Sequence, residues 1–141
     1  MTGPALRLPP VLVVAVGGGL GSVARVGLFE AIGDALPPWT ILTLVNLLGS
    51  IAAGALWVRL RQRDPATGRA SARLVASAFL ITGFLGGFTT FSGFGLYTAT
   101  LAGRGLTNDA IVVFWLGLVI AVFGASIGVA LARPVAARSQ E

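Results

Sequence analysis

Neither cysteine nor histidine occurs anywhere in the 141 residues. The first absence excludes a disulfide framework, a thiolate nucleophile and any redox inference. The second leaves zinc binding and histidine-based acid–base chemistry without their usual ligand and proton carrier. Charge is scarce as well, at 11% of residues against 55% hydrophobic, a balance far outside the range of soluble domains. The five carboxylates, Glu30, Asp34, Asp64, Asp109 and Glu141, all lie at the ends of apolar runs or in connections. Proton-coupled export needs a titratable group near the membrane centre, so that mechanism is disfavoured. Enzymatic function is unsupported: no catalytic dyad, metal cluster or phosphate loop is present. Gly17-Gly18-Gly19-Leu20-Gly21 superficially resembles a dinucleotide loop, but it lies inside an apolar span rather than between a strand and a helix.

What the chain does have is four apolar segments, roughly residues 11–32, 39–58, 74–101 and 110–131. Each is long enough to cross about 30 Å of hydrocarbon as a helix rising about 1.5 Å per residue. The expected fold is an all-α membrane protein, one four-helix domain over residues 1–141 with spans near 10–33, 38–60, 72–103 and 108–132. Arg7 before an apolar run suggests a signal peptide, but the run is long, continues through Arg25 and lacks a clear cleavage site. Pro9-Pro10 and Pro37-Pro38 suit the first turns of helices, where a missing N–H is harmless. Asp64-Pro65 and Gly68 give the second connection turn chemistry, and Thr107 or Asn108 can cap the fourth helix, with Asp109 at its positive end.

The arginines report topology. Arg7, Arg59, Arg61, Arg63, Arg69, Arg73, Arg133 and Arg138 fall on one side of the expected membrane, whereas Arg104 alone falls on the other. The positive-inside rule then places both termini in the cytoplasm of a multi-pass protein of the cell membrane. Nucleic acid is not an expected partner despite the net charge of +5, because these arginines flank lipid-facing spans.

Residues 82–94 carry four glycines, four hydroxyls and four phenylalanines inside the third apolar segment. Glycine weakens a helix by about 1 kcal/mol relative to alanine. Non-helical backbone survives at membrane depth only where protein or a water-filled cavity satisfies it. The stretch therefore reads as a break in the third helix at mid-membrane, built for a ligand. Freed carbonyls such as those of Gly86 and Thr89 are hard ligands for a small cation, and Thr89, Thr90 and Ser92 supply hydroxyl donors. Phe88, Phe91 and Phe94 recur at a spacing that groups them near one face of a helix, and ring edges can face an anion without a full charge.

Two further polar residues sit within apolar runs. Asn46 offers amide donors and an acceptor, either for an interhelical hydrogen bond or for a passing anion. Arg25 either faces inward as an anion-attracting charge or snorkels toward Glu30. Glycine and alanine repeats in the first, second and fourth spans allow close helix approach. Four short helices enclose little volume, so a solute pathway points to an oligomer.

Three motifs together, Gly18-Gly19-Leu20-Gly21-Ser22-Val23-Ala24-Arg25, Thr43-Leu44-Val45-Asn46-Leu47-Leu48-Gly49-Ser50 and Gly83-Phe84-Leu85-Gly86-Gly87-Phe88-Thr89-Thr90-Phe91-Ser92, resemble the CrcB/Fluc fluoride channel family over nearly the whole chain. The resemblance implies an antiparallel dimer of four-helix subunits that conducts fluoride passively and lowers its cytoplasmic toxicity. It implies a structural, untransported sodium ion (Na+) on the main-chain carbonyls of Gly86 and Thr89. It also implies pore roles for Asn46, Phe91, Phe94, Thr90 and Ser92.

The chain departs from that pattern in three ways. Gly93 stands where the family commonly has threonine, which removes a hydroxyl and loosens the break. The first half of the fourth span lacks the expected serine and tyrosine, and Ser126 comes late. The arginine bias fixes one orientation, whereas a chain forming its own antiparallel dimer needs both. The expectation is a heterodimer with an oppositely oriented paralogue. The alternatives are a small drug-resistance exporter, normally marked by a mid-membrane glutamate in the first span, and a noncatalytic assembly subunit.

Overall fold

The structure, a computed structural model, describes residues 9–61 and 70–133. Arg7, Arg63, Arg69 and Arg138, and the turn at Asp64-Pro65 and Gly68, lie outside the described residues. Helix α1 (Pro10–Ile32) starts on proline with Pro9 at its N-cap, and α2 (Pro38–Arg61) again starts on proline. The third segment runs through α3 (Ala70–Ser77), a π-helical stretch Ala78–Leu85, α4 (Gly86–Phe88) and α5 (Phe91–Gly103), and α6 (Thr107–Ala132) follows. Among the described residues, four spans are long and apolar enough to cross a membrane: Pro10–Ile32, Pro38–Leu60, Ala72–Gly103 and Thr107–Ala132.

Neither Thr107 nor Asn108 caps α6. Gly105, at φ 81°, closes α5 instead: its N–H donates to Ala102 and that of Leu106 to Leu101, each at 3.0 Å. This left-handed glycine ending satisfies the last carbonyls of α5. Leu106 is thereby left at the N-cap of α6 without a side-chain bond, and Asp109 lies in the first turn as expected.

Glycines set the packing. Along α1, Gly17 faces the backbone of Phe79 and Gly83, and Gly21 faces that of Phe84 and Phe88; from the third span, Gly83 and Gly87 face Val14 and Gly18 in return. Two small-x-x-x-small pairs thus meet backbone to backbone, a contact that any Cβ obstructs. The second seam joins α2 to α6, where Gly54 meets Ala125, Gly124 meets Leu47 and Gly128 meets Ile51. Gly19, by contrast, faces open space. Large apolar side chains such as Val11, Leu20, Val112, Trp115 and Phe123 lie on the outside, a surface suited to lipid rather than water.

The third span is joined, and its interruption is much narrower than the glycine-rich stretch suggests. Residues 82–88 stay helical: in the widened π-helical turn the Gly86 N–H reaches the carbonyl of Ile81. Only Thr89 (φ −75°, ψ 153°) and Thr90 (φ −145°, ψ 112°) are extended before α5 resumes. The glycines of this stretch were expected to weaken the helix. Gly83 and Gly87 instead let it lie directly on α1.

Candidate functional site

A helix continued through Thr89 and Thr90 would send the Thr90 N–H to the Gly86 carbonyl, four residues back. In this chain that N–H donates to Asn46 Oδ1 at 2.9 Å, and Asn46 Nδ2 donates to the Thr90 carbonyl at 3.2 Å. Asn46 thus holds both main-chain groups of one extended residue. Of the two readings of Asn46 drawn from the sequence, the hydrogen bond between spans is the one seen; its Nδ2 carries a second hydrogen.

The other side of the interruption follows the same logic. Gly93 N–H would bond the Thr89 carbonyl in a continued helix, but it donates to Thr90 Oγ1 at 3.0 Å, making Thr90 the N-cap of α5. The helical partners of the Gly86 and Thr89 carbonyls are therefore both turned elsewhere, for identifiable reasons. The Gly93 amide is part of the cap, through a backbone bond that a threonine there would also make. A built Cβ there stands 3.0 Å from Leu42 Cδ2 and from Thr90 Cγ2, so glycine also suits the tight packing.

Arg25 turns toward this region rather than toward Glu30. Its Nε donates to the Gly87 carbonyl at 3.3 Å, and Ser22 Oγ reaches the same oxygen at 3.4 Å. A guanidinium at the C-terminal end of a helical segment meets the negative end of its dipole, which gives Arg25 a structural task at the break.

Beside the break lies a cavity of ≈ 150 Å³ lined by Asn46, Ser50, Thr89, Phe91, Phe94 and Phe114. The remainder of its α6 wall is Gly117, Leu118 and Ala121. Phe94 is buried, and its ring packs where a side chain on Gly117 would stand. Phe91 is 62% exposed and meets Phe114 edge to face, with ring centroids 5.8 Å apart at 68°. Ring edges carry partial positive charge. A space edged by aromatic rings and an amide, with no carboxylate in its wall, is chemically suited to a small anion.

Several expected site residues are placed differently. Phe88 does not join Phe91 and Phe94; it stacks on Phe84 at 6.1 Å, because two extended residues intervene and break the helical register. Thr90 Oγ1 is occupied by the cap and by Ser92 Oγ at 3.2 Å, and neither residue lines the cavity. Thr89 lines it, but its hydroxyl donates to Leu85 at 2.8 Å. Ser126 donates to Val122 and lies at another surface hollow with Arg133. Phe114 and Ser50 were not singled out from sequence. Ser50's position one turn beyond Asn46 was the available signal.

The sequence matches the family model described as CrcB-like protein, Camphor Resistance (CrcB), over residues 12–129. It is 40% identical over 134 residues to the fluoride-specific ion channel FluC of Rhodospirillum centenum, covering 90% of this chain and 98% of that one. The FluC of Thermus thermophilus is 40% identical over 127 residues, covering 85% of this chain and 95% of its own. That of Hyphomonas neptunium is 37% identical over 129 residues, with coverages of 88% and 95%. Because the matched region, residues 12–129, runs through all four spans and takes in Asn46, the interrupted third span and the cavity wall, the chain belongs to the CrcB-like protein family.

Proposed function

We propose that this multi-pass membrane protein is a subunit of a passive fluoride-selective channel that lowers cytoplasmic fluoride. The observation that carries the proposal is the end-to-end similarity to relatives named fluoride-specific ion channels. Those names favour a channel over the drug-exporter alternative. Fluoride is small and strongly hydrated, so a path for it must replace water with donors. Asn46 and the edges of Phe91, Phe94 and Phe114 supply partial positive charge without a full countercharge that would hold the ion. Thr90 and Ser92 act on the path indirectly, through the cap that keeps α5 in place.

A structural Na+ fits the interruption. The Gly86 and Thr89 carbonyls, whose usual helical donors are engaged by Asn46 and Thr90, are hard oxygen ligands of the kind such an ion accepts. In an antiparallel dimer, two such interruptions offer four carbonyls and no carboxylate, and the ion supplies charge that pins the interface.

The arginine bias supports cytoplasmic termini and, with them, a single orientation. An antiparallel dimer then requires an oppositely oriented paralogue. The test is fluoride-electrode efflux from liposomes containing the purified chain alone or with that paralogue. Efflux with the paralogue and little without it is expected. Robust efflux from the chain alone, with both orientations seen by labelling single introduced cysteines, contradicts the heterodimer. Absence of efflux in both preparations contradicts the channel.

A further inference from the structure

The α6 wall of the cavity, Phe114, Gly117, Leu118 and Ala121, offers no side-chain hydrogen-bond donor. Donors must come from elsewhere, and the hydroxyls that line the cavity are those of Thr89 and Ser50. Thr43, Thr89, Thr100 and Ser126 donate to the carbonyl four residues back, Ser22 donates to Gly87, and Thr90 pairs with Ser92. Ser50 differs. It is half-buried and lines the cavity, and its hydroxyl makes no hydrogen bond among the described residues. Its oxygen is accessible rather than sealed off, so the hydroxyl is open to an acceptor that enters the cavity. Nor is it loosely held, because α6 comes so close that a Cβ built on Gly124 stands 3.1 Å from Ser50 Cβ.

We infer that Ser50 is a second hydrogen-bond donor to the permeating anion, in the place of the hydroxyls that α6 lacks; this rests on the channel reading above. Ser50 follows Asn46 by one turn, roughly 6 Å along α2. The two residues form successive sites from which fluoride can be handed on, and conduction favours several weak sites over one strong one. The remaining Nδ2 hydrogen of Asn46 and the Ser50 hydroxyl then do together what a single charged residue could not do without trapping the ion.

The experiment compares Ser50→Ala, Ser50→Thr and Ser50→Cys with the parent, reconstituted in the composition that conducts, by fluoride-electrode efflux. Ser50→Ala is expected to lower fluoride efflux about tenfold, the effect of losing one hydrogen bond to a charged partner. Ser50→Thr, which keeps the hydroxyl, stays within about twofold of the parent, because its donor survives. Ser50→Cys, similar in size with a weak donor, falls with alanine and carries the test if the alanine variant fails to fold. Parental efflux from a folded alanine or cysteine variant overturns the inference, as does an equal loss in the threonine variant, which marks a packing role. No efflux from the parent in any composition overturns the channel reading and this inference with it.

Discussion

Asn46→Leu is expected to collapse fluoride efflux while leaving the four spans assembled. The substitution keeps the apolar bulk of the side chain and removes both hydrogen bonds to Thr90. An ordinary interhelical side-chain bond in a membrane protein averages only about 0.6 kcal/mol. This one counts for more, because its partner is a main-chain N–H with no water to turn to. The Thr90 carbonyl keeps the first intrahelical bond that an N-cap residue accepts, so the cost falls on the N–H. Leaving that donor unpaired costs about 1–3 kcal/mol, roughly a 5- to 150-fold shift against the extended form. The unpaired N–H has a way out: it can return to the Gly86 carbonyl and close the helix. Closure takes away one proposed sodium ligand and displaces Phe91 and Phe94 from the cavity. Amide exchange at Thr90 and fluoride efflux report the two halves of the effect, and parental values for both contradict the clamp.

Gly87→Ala is expected to destabilise the protein by about 1–3 kcal/mol or more, the range for overpacking a tight contact, whereas Gly86→Ala is tolerated. The difference between these neighbours is geometric. A Cβ built on Gly87 runs into the Gly18 backbone, with the Gly18 Cα at 2.9 Å, while one on Gly86 finds only the Ile81 carbonyl, at 3.9 Å. Backbone cannot swing aside as a side chain can, so α1 and α4 must separate. Separation also pulls the Gly87 carbonyl from Ser22 and Arg25. Thermal unfolding in detergent separates the two variants, and equal midpoints contradict the glycine-to-glycine contact.

The four spans were legible because an apolar run of sufficient length has few alternatives in a chain with so little charge. The place of the interruption was legible only to within residues 82–94. Glycine's cost in a helix assumes that the bared backbone has nothing better to meet, and on the face of α1 it meets other glycines. What decides the break is the competition of Asn46 for the Thr90 N–H, 44 residues away in sequence. No local pattern around Thr90 reveals that partner. Phe91 and Phe94 were found because they share one helix, and Phe88 was misgrouped because the period used to connect it is suspended at Thr89 and Thr90. Arg25 gave its polarity in sequence but not its direction, since its acceptor is the carbonyl of Gly87, 62 positions on. For Ser50, its place one turn beyond Asn46 and the missing hydroxyls of the fourth span were both readable; that they line one cavity was not.

In the proposed channel, fluoride passes through the cavity between the interrupted third span and α6. Ala121 lies in that wall, and the cavity measures ≈ 150 Å³, so Ala121→Phe puts a ring into the path itself while leaving Asn46 and the break unsubstituted. The direct measurement is fluoride-electrode efflux from liposomes carrying this variant, in the subunit composition that conducts, with its folded state checked by thermal unfolding. The expected result is a folded protein whose fluoride efflux is abolished; a folded Ala121→Phe protein that releases fluoride at the parental rate contradicts this path.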